Sequence, residues 1–385
     1  MGKQVAKHIE KLPPSGIRVF FDLVLGMPDV ISLGVGEPDF ITPWKIREKA
    51  ITALEEGYTS YTSNQGLMVL RQSISTHLRK RYGLKYKAED EILITVGVSE
   101  GLDLALRSLC SPQDKVIVVS PHYVAYPAIP EIIGAKTLYL VTKESQGFKI
   151  NPKELSNLLR QKPKAMILNY PCNPSGVTYT EKELKDIWKE ISKTDTVVIS
   201  DETYDELTYD QDHLSFASLG KQAKNQTILL NGFSKSYAMT GFRTAYACAN
   251  KEIIAAMTKI HSFSMLCGPI ISQIAAVEAL HSQKEVDRMR KEYKRRRDFI
   301  VKELNRIGLP TIMPQGAFYC LSSIKQYKMD SMKFATKLLN CEKVAVVPGK
   351  GFGQDFDSYV RISYASTFDD LKEAIVRIER FLNKL

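Results

Sequence analysis

The sequence predicts an α/β fold: a mostly parallel, doubly wound sheet in a large domain, followed by a smaller α+β domain. Two apolar runs without polar alternation, EILITV (91–96) and KVIVV (115–119), indicate strands buried on both faces. Helical patterns over 99–109 and 181–191 separate such runs, which is typical of parallel strands joined by crossover helices. After about residue 280 a long charged helical pattern leads into short strand-like segments, which indicates a change of architecture.

The elements of the two domains follow from this pattern in chain order. In the large domain, strands are predicted at 91–96, 115–119, 165–168, 196–199 and 227–230, and helices at 99–109 and 181–191. The second helix carries a start signal, because Thr180 stands three residues before Glu183 and forms a capping box. In the smaller domain, helices are predicted at 282–307 and 368–382, and strands at 317–321, 344–347 and 359–364. We therefore expect an N-terminal segment (1–42) packed with the small domain, a large domain (43–280) and a small C-terminal domain (281–385).

Composition excludes several classes of protein. With 22 Gly and 17 Pro in 385 residues, and 44% hydrophobic and 25% charged residues, the chain is neither collagen-like nor disordered. No apolar run approaches the ~18 residues that a membrane span needs, and residues 1–14 lack the apolar core of a secretory signal. The six cysteines include no CxxC pair, so no metal site and no disulfide framework are expected. These features predict a cytoplasmic protein with no membrane partner.

The net charge of +10 does not predict a nucleic-acid partner. The excess of basic residues is spread along the chain, and its one dense block, 288–297, lies in the long helical pattern. We interpret that block as a solvated helix face.

Residues that could bind a ligand or take part in a reaction follow the predicted strands at the point where each strand ends. They are Gly97, Val98 and Ser99 after the first strand, then Tyr123, Asn173, Asp201 with Tyr204, and finally Ser234, Lys235 and Arg243. Each has an ordinary structural explanation: Asp201 as a helix cap, the tyrosines as core aromatics, Asn173 as a turn residue, Arg243 as a surface ion-pair partner. In open α/β sheets, however, ligands bind at the carboxyl ends of the strands, so a single cavity would receive all of them.

The residue types in this set match one cofactor. A desolvated lysine near other cations can form a Schiff base, and an acid beside a pyridine nitrogen keeps that nitrogen protonated. A helix N-terminus with serine and arginine suits a phosphate monoester. Together these are the requirements of pyridoxal 5'-phosphate, the cofactor that the composition and spacing suggest.

Over nearly its whole length the chain resembles the pyridoxal-phosphate-dependent class I aminotransferases of fold type I, closest to the aspartate/aromatic branch. The matching motifs are ISLGVGEPDF (31–40), YTSNQG (61–66), SPHYVAYP (120–127), NYPCNPSG (169–176), SDETYDEL (200–207), NGFSKSYAMTGFR (231–243), QGAFY (315–319) and YVRISYA (359–365). Two positions depart from the family pattern: Ser175 stands where threonine is usual, and Thr244 where an aliphatic residue is usual.

The resemblance implies a role for each matching position. Lys235 would carry the cofactor and move protons, Asp201 would bind the pyridine nitrogen, and Tyr204 with Asn173 would donate to the phenolic oxygen. Tyr123 would stack on the ring, while Val98, Ser99, Ser234 and Arg243 would hold the phosphate. Tyr61 would reach the phosphate from a partner subunit, which implies a homodimer with shared active sites. Arg361 would grip the substrate carboxylate, with Gly36, Tyr123 and Asn173 contacting the same substrate.

The implied reaction is ping-pong transamination from an L-amino acid, with an aspartate or aromatic donor favoured, to a 2-oxo acid such as 2-oxoglutarate. The segment 16–23 resembles the pocket-lining N-terminal segment of the family and offers Arg18, Phe20 and Phe21 for the substrate side chain. A lyase or synthase of the same fold, of the cystathionine β-lyase or aminocyclopropane carboxylate synthase type, is the alternative.

Two further classes of protein are not expected. A pyridoxal-fold transcription regulator would carry a DNA-binding module before the motif at 31–40. A dinucleotide-binding protein would need GxGxxG, whereas Pro38 follows SLGVGE.

Overall fold

The computed structural model describes residues 5–10, 12, 27 and 29–385. Its helices are Lys7–Glu10, Trp44–Glu55, Met68–Tyr82, Gly97–Leu109, Ala125–Ile132, Pro152–Leu159, Glu181–Ile191, Lys221–Asn225, Lys251–Ser264, Ile270–Ala279, Gln283–Arg306, Ser331–Glu342 and Phe368–Leu382. Its strands are β1 (Ile31–Ser32), β2 (Ile92–Thr95), β3 (Lys115–Ser120), β4 (Lys136–Val141), β5 (Ala165–Asn169), β6 (Val197–Asp201), β7 (Thr227–Gly232), β8 (Ala245–Cys248), β9 (Tyr319–Ser323), β10 (Val344–Ala345), β11 (Val347–Pro348) and β12 (Tyr359–Ser363).

The central sheet has seven strands in the order β2-β8-β7-β6-β5-β3-β4. Strands β7, β6, β5, β3 and β4 are parallel, and β8 is antiparallel to both of its neighbours, β2 and β7. All strands except β8 therefore end at one edge of the sheet, where β8 begins. The registers hold these ends level, as in the pairing of Asn169 with Asp201.

Both faces of this sheet are buried, which is why its strands lack polar alternation. Val116 and Val118 of β3 belong to one apolar cluster, together with residues of the helices Gly97–Leu109 and Lys251–Ser264. Ile117, between them, belongs to another cluster with residues of Pro152–Leu159 and Glu181–Ile191. Successive residues of one strand thus pack against helices on opposite faces, as in a doubly wound fold.

The C-terminal part of the chain forms a second layered unit. Strands β11, β12 and β9 make an antiparallel sheet, and β1 pairs in parallel with β10. The backbone N–H of Ser363 donates to the carbonyl of Leu33 at 2.7 Å, which ties the segment after β1 to β12. The predicted fold class is confirmed. The pairing of β1 supports the expected packing of the N-terminal segment with the small domain, and we propose the boundaries 42/43 and 280/281 for the domains.

Predicted and observed elements agree closely where the apolar pattern is strong. The helices 181–191 and 368–382 have the predicted bounds, and Thr180 and Glu183 form the predicted capping box. Strands β4 and β8 were not predicted, and the predicted strand 344–347 is divided into β10 and β11, which pair in different sheets.

The interpretation of 288–297 as a solvated face is wrong for two of its arginines. Arg296 and Arg297 are buried; Arg296 pairs with Asp39 at 2.8 Å and Arg297 with Asp210 at 2.6 Å. Their partners come from distant segments, so the sequence pattern of the helix could not reveal them. Residues Arg18, Phe20 and Phe21 lie outside the described residues. Across the part of the chain that is described, no helix is long and apolar enough to cross a membrane.

Candidate active site

A cavity of about 880 Å³ opens at the edge where the parallel strands end. It brings together eleven of the predicted site residues: Gly36, Val98, Ser99, Tyr123, Asn173, Asp201, Tyr204, Ser234, Lys235, Arg243 and Arg361. Tyr61 is 82% exposed on the surface of the chain and does not line the cavity. Segments far apart in sequence therefore place cationic, acidic and phenolic groups around one space.

One end of the cavity is shaped for an anion. The helix Gly97–Leu109 begins here and presents the N–H groups of Val98 and Ser99, as well as its positive dipole end. Gly97 has φ +78°, and a Cβ at this position would lie 2.4 Å from Nη2 of Arg243, so the guanidinium packs directly over the helix start. The acid of this first turn, Glu100, is turned away, since it accepts from the N–H of Val96 at 2.5 Å and lies 2.7 Å from Nδ1 of His261.

A buried carboxylate occupies the floor of the cavity. Oδ2 of Asp201 accepts a 2.8 Å hydrogen bond from the Tyr126 hydroxyl, and Oδ1 accepts one of 3.2 Å from the N–H of Thr203. Burial raises the pKa of Asp201 to about 6, while the Tyr126 and Thr203 hydrogen bonds oppose the rise. At neutral pH the group is mostly ionised and can accept one more hydrogen bond from a ligand.

Two donors stand beside this acid. The hydroxyls of Tyr204 and Tyr319 lie 3.1 Å apart, and burial raises the pKa of Tyr204, so its phenol stays protonated. The backbone N–H of Asn173 donates to Oδ1 of Asn169 at 2.9 Å, which fixes the turn after β5. The side-chain oxygen of Asn173 accepts from Nη1 of Arg361 at 2.9 Å, which orients the amide and leaves its nitrogen as the donor.

Arg361 is almost fully buried and incompletely paired. Nη2 donates to the carbonyl of Gly34 at 2.6 Å, and the guanidinium lies 4.4 Å from the ring centre of Tyr319 and 5.1 Å from that of Phe352. Among the residues that the structure describes, its Nε has no hydrogen-bond partner. A buried N–H without a partner is costly, and a ligand carboxylate would satisfy it.

Lys235 reaches into the cavity from the loop after β7. Its amine donates to the carbonyl of Gly36 at 2.6 Å. Burial lowers its pKa to about 8; Arg361 and Arg243 lower it further, whereas Glu37 and Asp201 act in the opposite direction. About a tenth of this amine is therefore uncharged at pH 7 and able to act as a nucleophile, a far larger share than for an ordinary lysine.

Sequence reasoning missed several residues of the site. Tyr126 and Tyr319 hydrogen-bond Asp201 and Tyr204, and Asn169 orients Asn173, while Thr240 donates to Glu37 at 2.9 Å. Tyr126 and Tyr319 belong to the motifs at 120–127 and 315–319, but nothing in the strand-end pattern distinguishes them from core aromatics.

The chain matches known proteins along its length. The profile of the family described as "Aminotransferase class I and II" matches residues 28–378. A Bacillus subtilis (strain 168) protein named YugH and described as an aminotransferase is 44% identical over 100% of both chains. The aspartate aminotransferase of Pyrococcus abyssi is 40% identical, covering 99% of this chain and 98% of its own. The crystal structure of an aromatic aminotransferase from Pyrococcus horikoshii OT3 superposes with a TM-score of 0.90 at 39% identity, covering 96% of this chain and 99% of that one.

The chain belongs to the class I and II aminotransferase family, and it is an enzyme that transfers amino groups between amino acids and oxo acids. The resemblance identified from the motifs is thereby confirmed, as is the predicted reaction class. Nothing in the comparisons favours the lyase or synthase alternative over an aminotransferase.

Proposed function

We propose that this enzyme transfers amino groups with pyridoxal 5'-phosphate bound in the cavity. The observation that carries the proposal is that a lysine of pKa about 8 faces the same space as a buried carboxylate of pKa about 6 and an anion-binding helix start. Pyridoxal phosphate supplies an aldehyde that condenses with amines and a pyridine ring that withdraws electrons when protonated. Each of these three features fits one part of that molecule.

The residues around the cavity fit the group from end to end. The N–H groups of Val98 and Ser99, the Ser234 hydroxyl and the Arg243 guanidinium would hold the phosphate. Asp201 would hold the pyridine N–H, and its hydrogen bond from Tyr126 keeps it oriented and ionised for that purpose. Tyr204 and Asn173 would donate to the phenolic oxygen, and Tyr123 would cover one face of the ring.

Lys235 would both attach to the cofactor and move the substrate proton. Its amine is positioned by the carbonyl of Gly36, which accepts its N–H in the absence of a ligand. Because its pKa is about 8, the released amine can accept a proton from the substrate Cα and return it during each half of the ping-pong cycle.

Arg361 would bind the α-carboxylate of the substrate. Its two terminal nitrogens are held by Asn173 and Gly34, which fixes the plane of the guanidinium, and within the described part of the chain Nε has no acceptor and is left to donate. A fixed guanidinium orients the substrate as well as binding it, which contributes to the rate by positioning the Cα–H bond.

For the substrates we propose an aspartate or aromatic amino donor and a 2-oxo acid acceptor such as 2-oxoglutarate. Support comes from the relatives, one named an aspartate and one an aromatic aminotransferase. The predicted substrate contacts of residues 16–23 lie outside the described residues. A cytoplasmic location also stays a prediction from the sequence.

We further propose a homodimer in which Tyr61 contacts the phosphate of the partner subunit. The Tyr61 side chain is 82% exposed, and large apolar side chains near it in sequence are exposed too, including Trp44, Leu54 and Met68. The side chain of Asn64 donates to the carbonyl of Leu266 at 2.7 Å, which joins this surface to the exposed Phe263 and Met265. An apolar surface of this kind supports an interface between two subunits.

The experiment uses single half-reactions. Purified enzyme loaded with pyridoxal phosphate is mixed with one amino acid at a time, without an oxo acid acceptor. We expect the absorbance of the pyridoxamine form to appear and one equivalent of oxo acid to be released. Borohydride reduction before the reaction, followed by peptide mapping, should place the cofactor on Lys235. A label on another lysine, or product formation that continues without an acceptor, would contradict the proposal; Lys235→Ala is the control.

A further inference from the structure

A buried carboxylate lies behind the cavity, outside the set of residues that face the ligand. Asp205 is 3% exposed and accepts three hydrogen bonds: from the Tyr82 hydroxyl at 2.6 Å, from Nδ2 of Asn231 at 2.7 Å and from the N–H of Glu206 at 2.7 Å. These donors belong to the helix Met68–Tyr82, to β7 and to the turn of Asp205 itself. Resting on the function proposed above, we propose that Asp205 and Asn231 are positioning residues that hold the Lys235 loop against the turn bearing Asp201 and Tyr204.

The contact lies where the backbone pairing of the two strands stops. The register of β6 with β7 ends at Asp201 and Leu230, and the last backbone hydrogen bond runs from the N–H of Glu202 to the carbonyl of Leu230 at 2.9 Å. Beyond that point the chain segments carrying Tyr204 and Lys235 have no shared ladder. Among the described residues, the Asp205–Asn231 hydrogen bond is the next hydrogen bond between them.

Asn231 links Asp205 to the Lys235 loop through a short segment whose conformation is fixed. Its amide oxygen accepts from the N–H of Gly232 at 2.6 Å, so both ends of the amide are held. Gly232 is pressed against β8, because a Cβ there would lie 2.7 Å from the Cβ of Ala245. Lys235 follows three residues later. On the other side, Asp205 follows Tyr204 directly in sequence, so the carboxylate is one residue away from a proposed cofactor donor.

Tyr82 offers a matched control for this proposal. Its hydroxyl donates to the same oxygen, Oδ2 of Asp205, at nearly the same distance as Asn231. It belongs to a helix that carries none of the residues proposed to hold the cofactor. Loss of the Tyr82 hydroxyl removes a hydrogen bond to a buried carboxylate, as loss of the Asn231 amide does, but leaves the connection to β7 in place.

The experiment compares Asn231→Ala, Tyr82→Phe and the exchange Asp205→Asn/Asn231→Asp. Three quantities are measured for each: the thermal midpoint, the dissociation constant for pyridoxal phosphate, and the pKa of Lys235 in cofactor-free protein. The pKa comes from the pH dependence of amine labelling followed by peptide mapping.

We expect Asn231→Ala to weaken cofactor binding by about tenfold or more, the effect of losing one hydrogen bond to a charged group. It should also raise the pKa of Lys235 above about 8, because a looser loop admits water and burial is the main cause of the low value. Tyr82→Phe should lower the thermal midpoint while leaving the other two quantities unchanged. The exchange Asp205→Asn/Asn231→Asp should restore both the cofactor affinity and the Lys235 pKa to their wild-type values. The new amide at position 205 can donate to the new carboxylate at 231 and to the Tyr82 oxygen.

Equal losses of cofactor affinity in Asn231→Ala and Tyr82→Phe would overturn the proposal, since a purely structural role predicts them. An unchanged Lys235 pKa in Asn231→Ala would overturn it as well. If the exchanged protein is too unstable to measure, the comparison of the two single variants decides. A wild-type protein that does not bind pyridoxal phosphate would refute the proposed function, while the labelling of Lys235 would still test the positioning role.

Discussion

Removing the hydrogen bond from Tyr126 to Asp201 should destabilise the protein by an amount that follows from the geometry of this contact. The change is Tyr126→Phe, which removes only the hydroxyl and leaves the buried ring in place. Because the hydroxyl donates to a carboxylate at 2.8 Å, its loss costs more when Asp201 is ionised than when it is protonated. The destabilisation should therefore depend on pH.

The sign and the pH window follow from the pKa of Asp201. Burial raises that pKa from its ordinary value of 3.8 to about 6 in the folded protein, so this group makes folding less favourable as the pH rises from about 4 to about 6. Without the Tyr126 hydroxyl the folded pKa should rise by about one unit, and the unfolded value is unchanged. The substitution should then cost ~1 kcal/mol below about pH 6 and ~2.4 kcal/mol above about pH 7, where the lost hydrogen bond is to a charged group.

Denaturant unfolding of the cofactor-free protein measures this difference. The free energy of unfolding is determined for wild type and variant at about pH 5 and about pH 8.5, at one protein concentration because any association of subunits makes the stability concentration-dependent. Tyr364→Phe is the control, since that buried hydroxyl donates to a neutral acceptor, the carbonyl of Ala317, at 3.2 Å. Its cost should be the same at both pH values. An equal cost for Tyr126→Phe at both values would refute the reasoning, as would a pH-dependent cost for Tyr364→Phe.

Three further predictions address the proposed roles. Asp201→Ala should still attach the cofactor to Lys235, as borohydride labelling would show, yet lose turnover by several powers of ten; near-normal turnover would make Asp201 a structural residue. Arg361→Lys keeps the charge but loses the planar fork, so KM for the amino acid should rise by about tenfold or more in steady-state assays, and an unchanged KM would exclude the carboxylate contact. A mixed dimer of a Tyr61→Phe chain with a Lys235→Ala chain should bind cofactor at its lysine-bearing site as wild type does; affinity no better than that of the Tyr61→Phe homodimer would refute the shared site.

The strands at the centre of the large sheet could be located from the local sequence pattern. Parallel strands that are buried on both faces read as continuous apolar runs, so β3, β5, β6 and β7 could be located, and the polar residues after them could be assigned to one sheet edge. Strand β4 could not, because it lies at the edge of the sheet and Lys136 and Tyr139 are exposed. The pattern alone also did not decide whether Arg361 faces solvent or the protein interior, since alternation along β12 does not show which face of the strand is covered.

The sequence by itself determined the fold class, the strand ends that form the cavity and, through its ordered motifs, the family of the enzyme. The tertiary structure decided which hydrogen bonds orient the groups of the site. They join Tyr126 to Asp201, Arg361 to Asn173 and Gly34, and Asn231 to Asp205. It also decided that Arg296 is a buried ion-pair partner of Asp39 and not part of a solvated face. The physical reason is that periodicity reports which face of an element is apolar, whereas a hydrogen bond or ion pair between residues tens to hundreds of positions apart exists only once the packed elements bring donor and acceptor within about 3 Å.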